Sequence, residues 1–457
     1  MKFSAVIAII LCKALRFISR ILHRGGTAMP GRYALKVCPE LLSILARNVK
    51  TVAVTGTNGK TTSARMIEEA FAREEKSYFS NRSGANLRSG ITTEFVMNCS
   101  ISGKMRREYA IIECDEAAAA TVFGELQPKV IVVTNLFRDQ LDRYGDVTHT
   151  LSSIRRGIEA APGAVLCLNA DDSLTSSLAL DIPNKAVYFG INKSAAGNHR
   201  PSELSDASHC IRCRAEYEYD YISYGHLGGF RCPKCGYSRH RADYAVTDIV
   251  ELAADYSDAV MNIRGEKKLV RINLPAMYNI YNAVGSLAAA VEMGIGADTA
   301  VQALSAFKCG FGRMEKFDID GAEVRMMLVK NPAGCNQVID FLRNIKDRFS
   351  LVISLNDRAG DGTDISWIWD ADFEGLNALG GRLQKVIVSG DRAEDMRVRL
   401  KYAGIPDENI TVEKDSGRLA EAMGRLGGNI YIMPNYTAML ALRKAIVERC
   451  GGSDFWE

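Results

Sequence analysis

The chain is 457 residues long, 47% apolar and 24% charged, with a formal net charge of +3. That length gives two or three domains, each burying its own core, and that composition excludes a disordered or fibrous chain. A charge of +3 is too small to argue for nucleic acid. The first 24 residues stand apart. Their apolar run from Phe3 to Cys12 is too short to span a bilayer, and Lys13 and Arg16 follow at once. No small-residue cleavage site follows it, and Leu11 before Cys12 spoils a lipoprotein box. As a helix it places Lys13, Arg16, Arg20 and Arg24 on one face and Leu11, Leu15, Ile18 and Leu22 opposite. Such a helix suits either an anionic membrane surface or packing on the first domain, and both leave the chain on the cytoplasmic side.

After a linker containing Pro30 and Gly31, the apolar segment Val49–Val54 runs into Thr55-Gly56-Thr57-Asn58-Gly59-Lys60-Thr61-Thr62. This reads as a buried strand, a phosphate-binding loop and the start of a helix. Two glycines let backbone N–H groups close around phosphate oxygens, Lys60 reaches the β/γ-phosphates, and the Thr61 hydroxyl is a ligand for Mg²⁺. The first glycine of the general G-x-x-x-x-G-K-[ST] pattern is replaced by Val54. Strands are predicted at Thr51–Val54, Tyr109–Ile112, Val130–Thr134, Ala164–Leu168 and Ala186–Phe189, with helices at Thr62–Glu74 and Leu151–Ala160. That alternation predicts a mostly parallel sheet covered on both faces.

Three polar loops follow strand ends. Glu113 closes one strand in Glu113-Cys114-Asp115-Glu116, placed for Mg²⁺, whereas Asp115 and Glu116 read equally well as a helix N-terminal acidic cluster. Thr134-Asn135 leads toward Asp139-Gln140-Leu141-Asp142, and Asn169-Ala170-Asp171-Asp172 repeats the arrangement. A polar stretch at Asn192–His209 opens an insertion running to about His240. It holds Cys210-x-x-Cys213 and Cys232-Pro-Lys-Cys235-Gly236, the spacing of a four-thiolate zinc ribbon and therefore of a closed, structural site. His209 and His240 read as bystanders. The twelve cysteines are otherwise scattered singly, as in a reducing compartment. A second α/β unit begins near Phe317, with strands at Leu351–Leu355, Lys385–Ser389 and Asn429–Met433.

The string Thr55–Thr61, Glu113, the Thr134-Asn135…Asp139-x-x-Asp142 loop and Asn169-x-Asp171-Asp172 together resemble the ATP-dependent Mur ligases, which form amide bonds in peptidoglycan assembly. Tyr278-Asn279-x-x-Asn282 and Phe311-Gly312-Arg313-Met314-Glu315 extend the resemblance over residues 50–330. It implies a Mur ligase-type P-loop ATPase domain at 49–315, after a leader at 1–48. The zinc-ribbon insertion occupies 200–241, and a Rossmann-like α/β domain follows at 316–457. It implies ATP held by Gly56, Thr57, Asn58, Gly59, Lys60, Thr61 and Thr62, with Asn282 against the adenine and Arg313 approaching the phosphates. Lys60 and Glu113 would carry the chemistry, and Thr61 and Glu113 the Mg²⁺.

Departures narrow the resemblance. Gln140 replaces the histidine usual in the Asp-His-x-Asp loop, Met327–Pro332 replaces the usual opening of the third domain, and no residue matches the family's carbamoylated lysine. These departures, with Asp361-Gly362-Thr363-Asp364-Ile365-Ser366-Trp367-Ile368-Trp369-Asp370, resemble the branch that amidates the D-isoglutamate α-carboxylate of lipid II through an acyl phosphate. That branch takes ammonia from a GatD-like class I glutamine amidotransferase, and this chain has no glutaminase nucleophile elbow of its own. The resemblance assigns Asp364 to orient the partner's Cys–His pair. Pattern alone reads Asp357, Asp361, Asp364 and Asp370 as turn and helix caps, and Trp367 and Trp369 as interface or core anchors, with core the default. The rival readings are a Mur-type ligase adding an amino acid and a zinc-ribbon P-loop protein binding nucleic acid. The first reading expects no nucleic-acid partner, and membrane contact only through the leader.

Overall fold

A computed structural model describes residues 2–21, 27–82, 84–138, 147–196, 206–308 and 313–451. The chain divides into two units, one of residues 1–137, 147–273 and 278–307, the other of 138–146, 274–277 and 308–457. Asp139, Gln140 and Asp142 lie outside the described residues, as do Leu22, Arg24, Phe311 and Gly312.

In the first unit the strands in chain order are β1 (Lys50–Thr55), β2 (Tyr78–Ser80), β3 (Tyr109–Glu113), β4 (Val130–Val133), β5 (Val165–Asn169) and β6 (Ala186–Ile191). A hairpin of β7 (Glu218–Tyr224) and β8 (Leu227–Arg231) follows, then β9 (Tyr244–Leu252), β10 (Ser257–Ile263) and β11 (Glu266–Ile272). One sheet takes the order β11-β10-β9-β6-β5-β4-β1-β3-β2, parallel from β2 through β9 and antiparallel at β9-β10-β11. The composition of each strand matches its place. Tyr-Ala-Ile-Ile-Glu in β3 is buried at every position because helices cover both faces, whereas β10 alternates buried and half-buried residues as a sheet with one wet face does.

The helices of this unit are α1 (Phe3–Ile21), α2 (Ala28–Val37), α3 (Leu41–Ala46), α4 (Lys60–Arg73), α5 (Arg88–Met97), α6 (Glu116–Leu126), α7 (Val147–Glu159), the short α8 (Ser173–Ser177), α9 (Met277–Glu292) and α10 (Ala297–Ala306). The chain runs β1-β2-β3 to one side of β1 and then places β4 on the other. That reversal makes the carboxyl end of β1 a topological switch point, where open α/β sheets bind ligands.

The leader departs from its expected orientation. Helix α1 packs on the domain through Ala5, Ala8, Ile9 and Cys12, in one core with Leu41, Leu42 and Phe95. Lys13 does not face solvent freely but donates its Nζ to the Cys99 carbonyl at 2.7 Å, and Ile18 is half exposed. Small residues win the buried face because they let α1 approach its neighbours closely, which leaves larger apolar residues outside.

The second unit carries β12 (Arg313–Ile319), β13 (Ala322–Met327), α11 (Pro332–Asn344), β14 (Phe349–Ser354), β15 (Leu383–Ser389), α12 (Ala393–Tyr402), β16 (Ile410–Val412), α13 (Ser416–Leu426), β17 (Asn429–Pro434) and α14 (Tyr436–Cys450). Its sheet order is β12-β13-β17-β14-β15-β16, parallel except for the β12-β13 edge. Buried Val324, Met326, Val352, Ile387, Ile430 and Ile432 give it a core of its own.

Candidate active site

The loop after β1 is shaped by its glycines. Gly56 has φ +122° and Gly59 φ +86°, and a Cβ on either would overlap a neighbour: the Thr134 hydroxyl at Gly56, the Asn282 side-chain amide at Gly59. The loop is also stapled to the β4 exit. Thr57 N–H donates to the Asn135 carbonyl (2.9 Å), Asn58 N–H to Asn135 Oδ1 (3.0 Å), and Thr134 Oγ1 to the Asn58 carbonyl (2.7 Å). Ser286 on α9 ties the helix after the loop through the Ser63 carbonyl at 3.1 Å. Gly59 caps α4, so the N-terminus of a fourteen-residue helix opens on the loop. That arrangement suits an anion.

One charged pair and one hydroxyl–carboxylate pair stand at this end of the sheet. Lys60 Nζ lies 2.6 Å from Glu116 Oε1 and 2.6 Å from the Gly56 carbonyl oxygen. Burial alone would lower the Lys60 ammonium, but the Glu116 and Glu113 carboxylates hold it above its usual value. Thr61 Oγ1 donates to Glu113 Oε2 at 2.7 Å. Glu113 is fixed by the Asn81 side chain, which accepts from Glu113 N–H (2.9 Å) and donates to its carbonyl (2.8 Å), while Asn86 reaches Oε1 at 3.3 Å. A hydroxyl and a carboxylate oxygen this close fit a hard divalent cation shared between them. Asp115 caps α6 by accepting from Ala117 N–H and Glu116 lies in the first turn, the helix N-terminal acidic cluster of one reading; Glu116 also pairs with Lys60.

The third loop builds a wall. Asp172 is fully buried and accepts from Leu136 N–H (2.8 Å), Thr175 Oγ1 (2.6 Å) and Leu174 N–H (3.0 Å), and faces His226 Nε2 at 3.3 Å. Burial would raise its carboxyl, yet His226 and these donors hold it below the usual carboxylate value. Asp171, equally buried, accepts from Arg239 Nε (2.5 Å), Tyr281 OH (2.6 Å) and Ile191 N–H (2.8 Å). Burial there outweighs the donors and pushes the carboxyl up.

His226 and Arg239 belong to the insertion, so the ribbon is part of this wall. In it the Sγ atoms of Cys210, Cys213, Cys232 and Cys235 lie within 4.8 Å of one another. Tetrahedral zinc thiolates need sulfurs about 3.8 Å apart, so the four fit one ion. The two knuckles repeat one geometry. Arg214 N–H donates to the Cys210 carbonyl and Gly236 N–H to that of Cys232, with φ +62° and +75°. Tyr217, Phe230 and Tyr237 pack beneath the thiols, and Tyr237 OH donates to the Ser173 carbonyl at 2.8 Å. His240 stacks on Tyr188 and His209 bonds Ser208; neither is among the four clustered ligands.

In the second unit Asp361 is buried and accepts from Thr437 N–H at 2.7 Å, a structural cap. Asp364 is exposed, its carboxylate held by Ser366 N–H (2.8 Å) and Ser366 Oγ (2.9 Å) at the start of a 3₁₀ turn, Ser366–Trp369. Trp369 departs from the core expected of it: half exposed, it stacks edge-on against Tyr402, itself 76% exposed. Arg313 opens β12, and Glu315 beside it pairs with Arg443 at 2.9 Å.

A family model described as Mur ligase middle domain matches residues 54–230, and one described as MurT ligase C-terminal matches 328–439. A Streptococcus pneumoniae protein named lipid II isoglutaminyl synthase (glutamine-hydrolyzing) subunit MurT is 32% identical over 453 residues, 98% of each chain. The chain belongs to the MurT family. A MurT of the same name from Staphylococcus aureus is 34% identical, over 94% of this chain and 95% of that one. Among solved structures, MurF from Acinetobacter baumannii superposes with a TM-score of 0.66 at 17% identity, over 91% of this chain and 80% of that one. A pseudomurein peptide ligase type C from Methanothermus fervidus gives 0.64 at 22% identity, over 88% and 79%. The Mur ligase fold is therefore that of this MurT-family chain, and its four-cysteine insertion is consistent with the expected zinc ribbon.

Sequence reasoning found the loop, Glu113 and the cysteines. It missed Asn81, Asn86, His226 and Arg239, which sit in no motif, and Tyr281, which fills an unspecified position of Tyr278-Asn279-x-x-Asn282. The signal available for Arg239 was its place just beyond the second knuckle.

Proposed function

We propose that the chain is the ATP-dependent synthetase subunit that amidates the D-isoglutamate α-carboxylate of the lipid II stem peptide in peptidoglycan synthesis. The observation that carries this reading is the pairing of Lys60 with Glu116 and of Thr61 with Glu113 at the switch point of a MurT-family chain. The acceptor carboxylate attacks the γ-phosphorus of ATP and ADP leaves; ammonia then displaces phosphate from the acyl phosphate and sheds a proton as the amide forms. Little of this is covalent work for the protein, so positioning and charge carry it.

Lys60 exchanges the Glu116 and Gly56 oxygens for phosphate oxygens, and the N–H groups of the first turn of α4 face them. Thr61 and Glu113 would hold Mg²⁺, which would supply neutralisation of the phosphate charge. Asn282, against Gly59, borders the nucleoside. The four cysteines hold a structural zinc ion.

The word subunit in the relatives' names implies a partner, and a GatD-like class I glutamine amidotransferase fits the missing half. Ammonium predominates in neutral water, so a glutaminase must supply free ammonia. Asp364 would orient the partner's Cys–His pair. In support, Asp364 is exposed and held rigid, and Trp369, Val398 and Tyr402 form an exposed apolar patch beside that turn. Because ATP and the precursor meet there, the work lies at the inner face of the plasma membrane.

The test uses the purified pair of subunits with lipid II and ATP. Lys60→Ala is expected to lose amidation with both glutamine and added ammonia. Asp364→Asn is expected to lose only the glutamine-dependent reaction. Retained activity in Lys60→Ala, or loss of both reactions in Asp364→Asn, would refute these roles.

A further inference from the structure

Helix α1 has an outward face that a soluble helix does not carry. Its solvent side holds Phe3 (80% exposed), Ile7, Ile10, Phe17 (66%) and Ile21 at alternating spacings of three, four and seven residues, with only Ala14 between Ile10 and Phe17. No charged residue interrupts that arc, although the face opposite is already satisfied by Ala5, Ala8, Ile9 and Cys12 in the core. An ordinary surface helix buries its apolar stripe and wets its polar one. Here both stripes are apolar, and only one has a partner among the described residues.

The surroundings say what kind of surface meets the other stripe. Helix α2, packed against α1, exposes Met29, Tyr33 and Val37 with Arg32 and Lys36 among them. Arg20 flanks the outward arc of α1. Seven lysines and arginines precede Glu40, the first acidic residue of the chain. Lys2 is paired with Glu40 at 2.7 Å and Glu94 lies near Arg16 and Arg20, so Arg32 and Lys36, set among exposed apolar residues, are the cations that best complement the edge of an anionic bilayer. At nineteen residues α1 is about 28 Å long. Among the described residues no helix is long and apolar enough to cross a membrane, so α1 would lie in the surface rather than span it.

We propose that the outward face of α1, with the exposed edge of α2, is a docking surface for an anionic phospholipid bilayer. Docking brings the ATP-binding unit to the plane in which a lipid-linked carboxylate lies, so the inference rests on the function proposed above. The helix is already folded on the domain, so little ordering entropy opposes the contact. The bare apolar arc supplies depth of insertion, and the cations supply selectivity for negative headgroups.

The experiment is vesicle co-sedimentation of the full chain, without ATP or lipid II, on neutral phosphatidylcholine vesicles and on vesicles containing 30 mol% phosphatidylglycerol. Partition is expected to be at least tenfold higher on the anionic vesicles and to fall with added salt. The double variant Ile10→Gln, Phe17→Gln is expected to lose at least tenfold on the same vesicles, with an unchanged thermal melt because both side chains are exposed. Equal partition of the variant and the parent would overturn the proposal. So would absence of vesicle binding accompanied by loss of a dimer in the variant, which assigns the face to a second copy. Absence of vesicle binding with lost capture of the partner subunit would assign it to that partner and overturn the proposal equally. Amidation of detergent-solubilised lipid II with added ammonia is scored separately. Its failure counts against the proposed reaction, and its success with no vesicle binding counts against docking alone.

Discussion

Replacing Arg239 by methionine removes the guanidinium that donates to Asp171 at 2.5 Å and to the Ile191 carbonyl at 3.2 Å, while keeping the volume of its stem. Asp171 is fully buried and keeps two donors, Tyr281 OH and Ile191 N–H. Breaking a buried pair from one side costs about 3–5 kcal/mol, because the remaining charge is uncompensated. The cost has a ceiling, since the carboxyl can take up a proton instead. From an unfolded pKa of about 3.9, that costs roughly 4 kcal/mol at pH 7 and about 1.5 kcal/mol at pH 5.

The sign is fixed by burial, which already raises the folded carboxyl. A raised carboxyl makes the folded state the better proton binder, so its stability contribution is complete below the unfolded pKa and is lost as pH rises. The variant's deficit is therefore expected to grow from about 1.5 kcal/mol at pH 5 toward 3–4 kcal/mol at pH 7. Hydrogen exchange at the amides of β5 and β6 reads this within the ATP-binding unit. Trp367 and Trp369 lie in the other unit, so their fluorescence follows that unit separately. Protection is expected to drop more than a hundredfold at pH 7 and to recover partly when Asp171→Asn removes the charge. A deficit below about 1 kcal/mol at pH 7, or one independent of pH, would refute the buried-charge account.

The same wall makes two further outcomes checkable. Metal analysis is expected to return one zinc per chain, lost on Cys213→Ser. Removal of zinc by a zinc-selective chelator, with Mg²⁺ kept in excess, is expected to raise the KM for ATP more than it lowers kcat, because Tyr237 and His226 brace the loop that holds Leu136; a zinc-free, fully active protein would exclude the site. Arg214 sits at φ +62° where the matching position of the second knuckle is Gly236, and a left-handed non-glycine residue costs roughly 1–2 kcal/mol. Arg214→Gly is thus expected to stabilise the ribbon by up to about 1 kcal/mol after the glycine's own entropy loss, read as tighter zinc retention against a chelator. Weaker retention would show that the arginine side chain, not its backbone, matters.

Local chemistry made much of this protein legible in its sequence. The phosphate loop could be read because its glycines, lysine and threonine act within eight residues, and the ribbon because each knuckle is a tight turn fixed by its own spacing. The parallel strands could be read because burial on both faces demands unbroken apolar runs. The tertiary structure alone decided what depends on distant pairing. Asp115 and Glu116 are adjacent and chemically alike, yet Asp115 is the extended N-cap of α6 while Glu116, the first helical residue, reaches Lys60 on α4. Arg239 and His226 matter because the insertion folds back on the Asn169–Ser173 loop, across more than fifty residues of chain. The face of α1 was decided the same way. Hydrophobic periodicity shows that a helix is apolar, but close packing chose Ala5, Ala8 and Cys12 for the core and left Phe3, Ile10 and Phe17 outside.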